Sequence, residues 1–179
     1  MPVDAIFVKM TPTPWIERTF NFDFPLTNFP FVLERLHGTA ARMEDLLKFI
    51  PNETLSAKPG GKWSIKEHLG HLIDLEDLHN GRIIDFLSKL EVLRAADTSN
   101  NKTNEANHNA AEIKILLHTF RENRMNFIDR LKAVDENLHS HTALHPRLNK
   151  KIRLIDLAYF VAEHDDHHLN SMRELNHLL

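Results

Sequence analysis

Hydrophobic positions recur every three or four residues along four stretches of the chain, with polar and charged residues between them. These stretches cover 31–50, 64–90, 113–134 and 152–175. Such spacing places the apolar side chains on one face of a helix. No stretch alternates with the two-residue period of a strand, and glycine is scarce. The pattern therefore predicts an all-α fold, a four-helix bundle.

The segment before the first helix has a different character. Five prolines exclude a long helix there: Pro2, Pro12, Pro14, Pro25 and Pro30. Its apolar side chains are too many for a disordered tail, and they include Ile6, Phe7, Trp15, Phe20, Phe22 and Phe24. We expect one domain over 1–179, in which 1–30 is an extended arm and 31–179 is the helical bundle. The arm is expected to pack across the domain or onto a partner subunit.

Capping and breaking residues mark the connections between the helices. Ser64 followed by Glu67 forms a capping box, which fixes the start of the second helix. The last helix lacks such a cap, and its predicted start is Ile152 or Arg153. Segments 52–62, 97–109 and 139–150 are predicted to be loops, because they are rich in Pro, Gly, Asn or Thr.

Composition excludes several classes of function. The 22 Lys and Arg against 25 Asp and Glu give a formal charge of -3, which argues against nucleic acid as a partner. The sequence has neither the pattern of a secretory signal nor an apolar run long enough to span a membrane, so a cytoplasmic protein is expected. Because cysteine is absent, a metal ion would have to be held by nitrogen and oxygen.

Two histidines on the last helix are the strongest chemical signal. His164 and His168 are four residues apart within its apolar stripe, so both rings can reach a single ion. An unpaired buried imidazole would cost on the order of 1–3 kcal/mol, so these rings require partners. They are either core histidines bonded to other side chains or two ligands of a metal ion, and their spacing favours the metal. His167 points about 100° away from His168 and is not expected to share the ion.

A third ligand is expected from the second helix, which offers His68 and His71. His68 lies nearer the middle of the apolar stripe of that helix, and His71 lies nearer its edge. A helix in a bundle faces two neighbours, however, so the periodicity leaves the choice open.

At the level of motifs, the chain from Trp15 to Leu175 resembles the DinB/YfiT-like superfamily of metal-binding four-helix bundles. Two similar motifs lie near the start, Trp15-Ile16-Glu17-Arg18-Thr19-Phe20 and Glu34-Arg35-Leu36-His37-Gly38-Thr39-Ala40. A third is Lys62-Trp63-Ser64, followed by a histidine eight residues after Trp63 and by an acidic residue three positions after that histidine. The last is His164-x-x-His167-His168. The resemblance implies an up-down-down-up bundle. It also implies His71, His164 and His168 as metal ligands, and it is the resemblance that selects His71.

The resemblance further implies a divalent ion, zinc or nickel, and a small-molecule substrate. The reaction would be that of a metal-dependent hydrolase or of an S-transferase that uses a low-molecular-weight thiol, and a homodimer is expected. Asp74 is either a solvated carboxylate or a group that orients His71. Glu163, Asp165 and Asp166 are expected to be surface charges, with the alternative that one of them acts as a proton acceptor. Ser171 stands where many thiol-transferring members have a histidine. The alternative is a non-catalytic stress-response or interaction bundle with a structural or vestigial metal site.

Overall fold

Long helices dominate the computed structural model, which describes residues 12–178. The helices are α1 (Phe29–Leu47), α2 (Asn52–Ser56), α3 (Ile65–Asp74), α4 (Glu76–Leu87), α5 (Asn101–Glu105), α6 (Ile113–Lys132) and α7 (Leu154–Leu178), and the strands are β1 (Ala143–His145) and β2 (Lys150–Ile152). The predicted all-α four-helix bundle is confirmed, with α3 and α4 together forming its second member. None of the helices within the described residues is long and apolar enough to cross a membrane.

The four members surround two clusters of buried apolar side chains. Helices α6 and α7 each pack against α1 and against the α3–α4 pair. At one end of the bundle Leu36, Phe127 and Leu157 are buried together, and at the other end Met43 and Phe120 are buried together. Each such side chain contributes about 1.5–3 kcal/mol by leaving water. The apolar stripes read from the sequence are therefore the surfaces on which the helices meet.

The α3–α4 pair begins as predicted and ends slightly earlier. Ser64 Oγ accepts the Glu67 N–H at 3.1 Å, and the Glu67 carboxylate accepts the Ser64 N–H at 2.8 Å, so the capping box is confirmed. Helix α3 ends at Asp74 and α4 begins at Glu76, so Leu75 alone separates them. The pair ends at Leu87, before the expected Leu90, and Lys89 adopts a φ of 52°.

Two segments predicted to be loops contain short helices. Helix α2 lies within 52–62, and α5 lies within 97–109. Each helix has only five residues, too few to produce a hydrophobic period that could be read from the sequence. Helix α5 matters for the site, because it carries Thr103 to the side of α3.

A short β-hairpin occupies the connection before α7, where the sequence predicts a loop over 139–150. Strands β1 and β2 pair antiparallel, with Ala143 opposite Ile152 and His145 opposite Lys150. Strands of three residues are too short to show alternation. The hairpin places His145 and Arg147 beside the cavity described below.

The last helix begins at Leu154, close to the predicted start, and an acid takes the place of the missing cap. The Asp156 carboxylate accepts the Arg153 backbone N–H at 2.8 Å and also binds the Arg153 guanidinium. The negative charge lies in the first turn of α7, where it stabilises the helix dipole.

The described part of the N-terminal arm lies across the same chain's α7. Trp15 and Phe20 pack against Phe160, with ring centroids 5.1 and 5.2 Å from that ring, and Arg18 forms an ion pair with Glu163. Of the two packing alternatives, these residues follow the one within the chain. Ile6 and Phe7 fall outside the described residues, and homodimerisation stays a prediction.

Candidate metal centre

Three buried imidazoles meet between α3 and α7. One ring nitrogen from each of His71, His164 and His168 lies within 4.8 Å of the corresponding atoms of the other two. The side chains are only 6, 6 and 4% exposed. His164 and His168 are one turn apart on α7, and their Nε2 atoms are 3.1 Å from each other. The structure thus brings together the three histidines that the sequence analysis selected.

His68 lies behind this group and contacts only one of its members through a hydrogen bond. Its Nδ1 is 2.8 Å from Nδ1 of His168. Since Nε2 of His168 faces His164, the opposite ring nitrogen of His168 is engaged by His68. The two histidines of α3 between which periodicity could not choose therefore have different positions: His71 stands with the α7 pair, and His68 supports His168 from outside.

A chain of polar side chains orients His71. Its Nδ1 lies 3.1 Å from Thr103 Oγ1, and the Thr103 hydroxyl donates to Asp74 at 2.9 Å. Asp74 also accepts from His108 Nε2 at 2.9 Å. With the Thr103 proton committed to Asp74, His71 is the donor on Nδ1, and its Nε2 lone pair is available. Asp74 therefore acts on His71 through Thr103 and is not a solvated carboxylate.

Gly70 makes room for this chain of hydrogen bonds. A Cβ atom at position 70 would lie 2.2 Å from the ring of His108. Any larger residue would push that ring away from Asp74. Neither Thr103 nor His108 was identified from the sequence, because both lie in the segment predicted to be a loop and no spacing links them to α3.

The three rings have the properties that a divalent ion requires. Burial lowers the pKa of His71 to about 4 and holds the pKa values of His164 and His168 well below their usual range. All three are consequently neutral near pH 7, the form that binds metal. Nδ1 of His164 is buried and has no hydrogen-bond partner among residues 12–178. A set of neutral imidazoles fits zinc or nickel.

Two tryptophans cover the imidazoles. The ring centroid of Trp63 is 4.8 Å from that of His71, and the ring centroid of Trp15 is 4.7 Å from that of His164. Beside the rings lies a cavity of about 470 Å³, whose apolar wall includes Leu75, Leu78 and Phe160. A small organic molecule could therefore reach the three histidines while most of its surface leaves water.

His167 lines the same cavity but does not join the three histidines. Its ring stacks on Trp15 at 5.7 Å between centroids, which agrees with its expected divergence from His168. The nearby Ser171 hydroxyl donates to the His167 carbonyl oxygen at 3.0 Å. The serine at this position is therefore occupied with the backbone of its own helix.

Among the three acids beside the histidines, Asp165 is not the surface charge that was expected. Asp165 is fully buried, and Arg124 of α6 donates to it at 2.8 Å across the bundle. The same guanidinium lies 3.1 Å from Glu76. Glu163 and Asp166 form ion pairs with Arg35. The prediction was wrong for Asp165, because the face of α7 that carries it points into the bundle interior.

Comparison with known proteins shows that the chain shares its fold with a solved structure. No functionally curated protein matches the chain significantly. The solved structure of YfiT from Bacillus subtilis, described as a probable metal-dependent hydrolase with an unusual four-helix bundle topology, superposes with a TM-score of 0.70. The alignment covers 90% of this chain and 93% of that chain at 20% sequence identity, which shows a shared fold.

A sequence model of the DinB superfamily matches residues 35–172. The match includes α1 from residue 35 onward, both helices of the second member, α6 and the part of α7 that carries His164 and His168. Since it spans most of the sequence and all three clustered histidines, the chain belongs to the DinB superfamily.

Proposed function

We propose that this protein is a metal-dependent hydrolase in which His71, His164 and His168 bind a divalent ion, zinc or nickel. The observation that supports this most directly is the convergence of three buried imidazole nitrogens within 4.8 Å of one another. Three protein ligands leave a coordination position open for water or substrate, as in catalytic zinc sites. The similarity to YfiT, itself described as a probable metal-dependent hydrolase, agrees with this choice.

The surrounding residues support the proposal by fixing the ligands in advance. Thr103 holds the proton of His71 on Nδ1, and His68 engages Nδ1 of His168. Such partners orient ligand rings and raise metal affinity. In this role they leave Nε2 of His71 and Nε2 of His168 available to an ion.

The cavity offers a binding site for the body of a substrate. Trp15 and Trp63 shield the imidazoles, and the apolar wall favours a substrate with a hydrophobic body. A bound divalent ion supplies Lewis acidity, which polarises a substrate oxygen and lowers the pKa of water. The residues of the cavity hold the scissile group of the substrate beside the three histidines.

Metal content and turnover test the proposal together. The wild-type protein, the His164→Ala variant and a His118→Ala control are purified and their zinc and nickel content is measured by elemental analysis. His118 is exposed on α6 and is not among the clustered histidines. We expect one ion per chain in wild type and in the control, and a large loss in His164→Ala. Undiminished metal content in His164→Ala would refute the ligand set.

Turnover is then measured with 4-nitrophenyl esters and with thiol-conjugation substrates, before and after treatment with a chelator. Ester hydrolysis that disappears with the metal supports the hydrolase. Metal-dependent thiol conjugation without hydrolysis would mean that the protein is an S-transferase and not a hydrolase. Bound metal without either reaction would refute the hydrolase and favour the non-catalytic bundle.

A further inference from the structure

Two arginines line the cavity without an acidic partner. Arg82 of α4 and Arg147 of the hairpin turn both contribute to its wall, and neither forms an ion pair with a carboxylate among residues 12–178. Other arginines are paired with acids, such as the buried Arg124 with Asp165 and the half-buried Arg153 with Asp156. A buried guanidinium without a counter-ion is costly. Arg82 is buried, and Arg147 is half-buried with two buried nitrogens that lack a partner, so both positions require an explanation.

Arg82 is almost fully buried and only partly satisfied. Its side chain is 2% exposed, and Nε donates to the Arg94 carbonyl oxygen at 3.1 Å. The two terminal nitrogens have no hydrogen-bond partner among the described residues. Burial and the positive charges of Arg147 and Arg94 lower the pKa of Arg82 to about 10, and Asp85 offsets this only in part. Near pH 7 the group is still a cation.

Arg147 is held rigidly by aromatic rings. The guanidinium carbon lies 4.9 Å from the ring centroid of Trp15 and 5.1 Å from that of Phe160. Nη1 donates to the Trp15 carbonyl oxygen at 2.9 Å, whereas Nε and Nη2 are buried without a partner. Trp15 also packs on His164, so the Trp15 ring contacts both the Arg147 guanidinium and one of the clustered histidines.

His145 adds a neutral donor beside the two arginines. It is 1% exposed, and its Nδ1 accepts the Leu148 N–H at 3.3 Å. The proton of the neutral ring is therefore on Nε2, which is buried and has no partner among the described residues. Burial and the nearby charges of Arg82 and Arg147 lower the pKa of His145 to about 3, so the ring stays neutral.

The cavity itself does not neutralise these groups. Among the described residues that line it, the one acid is Asp97, whose carboxylate accepts the backbone N–H groups of Ser99 and Asn101. That carboxylate is therefore used within its own loop. The arginine side of the cavity presents positive charge and N–H donors next to an apolar wall.

We propose that Arg82, Arg147 and His145 form a subsite for an anionic group of the substrate, a carboxylate or a phosphate. The apolar body of the substrate fills the cavity, and its reactive bond lies at the three histidines. Guanidinium groups suit both anions, because their N–H donors match two oxygens at once. This inference deepens the proposed function and rests on it for the identification of the ligand as a substrate.

Binding to the metal-free protein tests the subsite separately from catalysis. Metal is removed with a chelator, the chelator is removed by dialysis, and binding is measured by titration calorimetry. The probes are 4-ethylbenzoate, phenyl phosphate and the neutral 4-ethylbenzyl alcohol. We expect at least one of the anions to bind about tenfold or more tightly than the alcohol, and its affinity to fall with added salt. The stronger anion identifies the carboxylate or the phosphate as the preferred group.

Variants locate the site. Arg147→Gln and Arg82→Gln should each weaken anion binding by about tenfold while leaving the alcohol unaffected. Arg147→Lys, which keeps the charge, should retain part of the affinity. Arg173→Gln, at an exposed position of α7 outside the cavity, is the matched control and should bind as wild type does. Circular dichroism checks that each variant is folded.

Equal affinity for anion and alcohol in wild type would overturn the inference without any variant, and so would the absence of binding. Unchanged anion binding in folded Arg147→Gln and Arg82→Gln would overturn it as well. Anion binding that persists in a protein without hydrolytic activity would separate the two hypotheses: the subsite would stand and the hydrolase would fall.

Discussion

The Nδ1 atoms of His68 and His168 lie 2.8 Å apart, so one of these two rings donates a hydrogen bond to the other. Nε2 of His168 faces His164. If Nε2 binds an ion, the proton of His168 must be on Nδ1, and His68 is then the acceptor. A histidine thus takes the place that a carboxylate or carbonyl commonly has behind a metal-binding imidazole.

Replacing His68 should therefore weaken metal binding without removing a ligand. We expect His68→Leu to lower the affinity for zinc by about 10–100-fold, since His168 loses the partner that fixes its ring. In His68→Asn the amide oxygen can accept the same proton, so most of the affinity should remain. Competition with a chromophoric chelator measures the dissociation constants. Equal values for wild type and His68→Leu would contradict the role assigned to His68.

Replacing Thr103 should also weaken metal binding, because Thr103 orients His71. Thr103→Val keeps the shape of the side chain but removes the hydroxyl that accepts from His71 and donates to Asp74. A loss of about 10–100-fold in zinc affinity is expected. Thr103→Ser retains the hydroxyl and serves as the matched variant. If the Thr103→Val and Thr103→Ser variants bind zinc equally well, the hydrogen bonds through Thr103 do not orient His71.

The buried His79 should make the free energy of unfolding of the metal-free protein depend on pH. Its pKa lies well below the usual value because the ring is fully buried and lies near Arg124 and Arg82. The unfolded chain takes up a proton at this residue below about pH 6.5, and the folded chain does not. This histidine therefore lowers the free energy of unfolding as the pH falls below 6.5, and it has no such effect above that pH.

His79→Met should make this dependence shallower. Between pH 7.5 and pH 5 the variant is expected to lose up to about 2 kcal/mol less than wild type, since one proton-linked equilibrium is removed. Urea denaturation at the two pH values measures the difference. His118→Met, at an exposed position, should change it little. An equally steep loss in His79→Met and wild type would argue against a depressed pKa.

The buried ion pair across the bundle should be costly to break. Arg124→Met leaves the carboxylates of Asp165 and Glu76 buried without their cation, and we expect a loss of about 3–5 kcal/mol in unfolding free energy. The partly exposed pair of Arg121 and Glu44 is the comparison, and Arg121→Met should cost about 1 kcal/mol or less.

A triple variant distinguishes charge from shape. Adding Glu76→Gln and Asp165→Asn to Arg124→Met removes the two uncompensated charges and should recover part of the lost stability. Chemical denaturation measures all three proteins under one condition. A triple variant less stable than Arg124→Met would mean that lost packing outweighs the unpaired charges.

The sequence was most informative where a pattern repeats over several helical turns. The long helices and the inward position of His164 and His168 follow from one period maintained along α7. The choice between His68 and His71 did not follow, because both project from the inner side of α3 and differ only in what stands opposite. That information belongs to the arrangement of the helices and not to one helix.

The parts that the sequence analysis missed are short or depend on distant partners. The hairpin carrying His145 and Arg147 has three-residue strands, which leave no alternation to detect. Thr103 reaches the site because a five-residue helix turns it toward His71. Asp165 was expected at the surface because a charged residue usually lies there, and its partner on α6 is 41 positions away.

The three clustered histidines come from distant parts of the chain. His71 lies in α3, whereas His164 and His168 lie in α7. In the unfolded chain these rings are separated, so they come together only once α3 and α7 have packed against each other. An ion that binds all three would therefore bind the folded chain alone and would raise the free energy of unfolding.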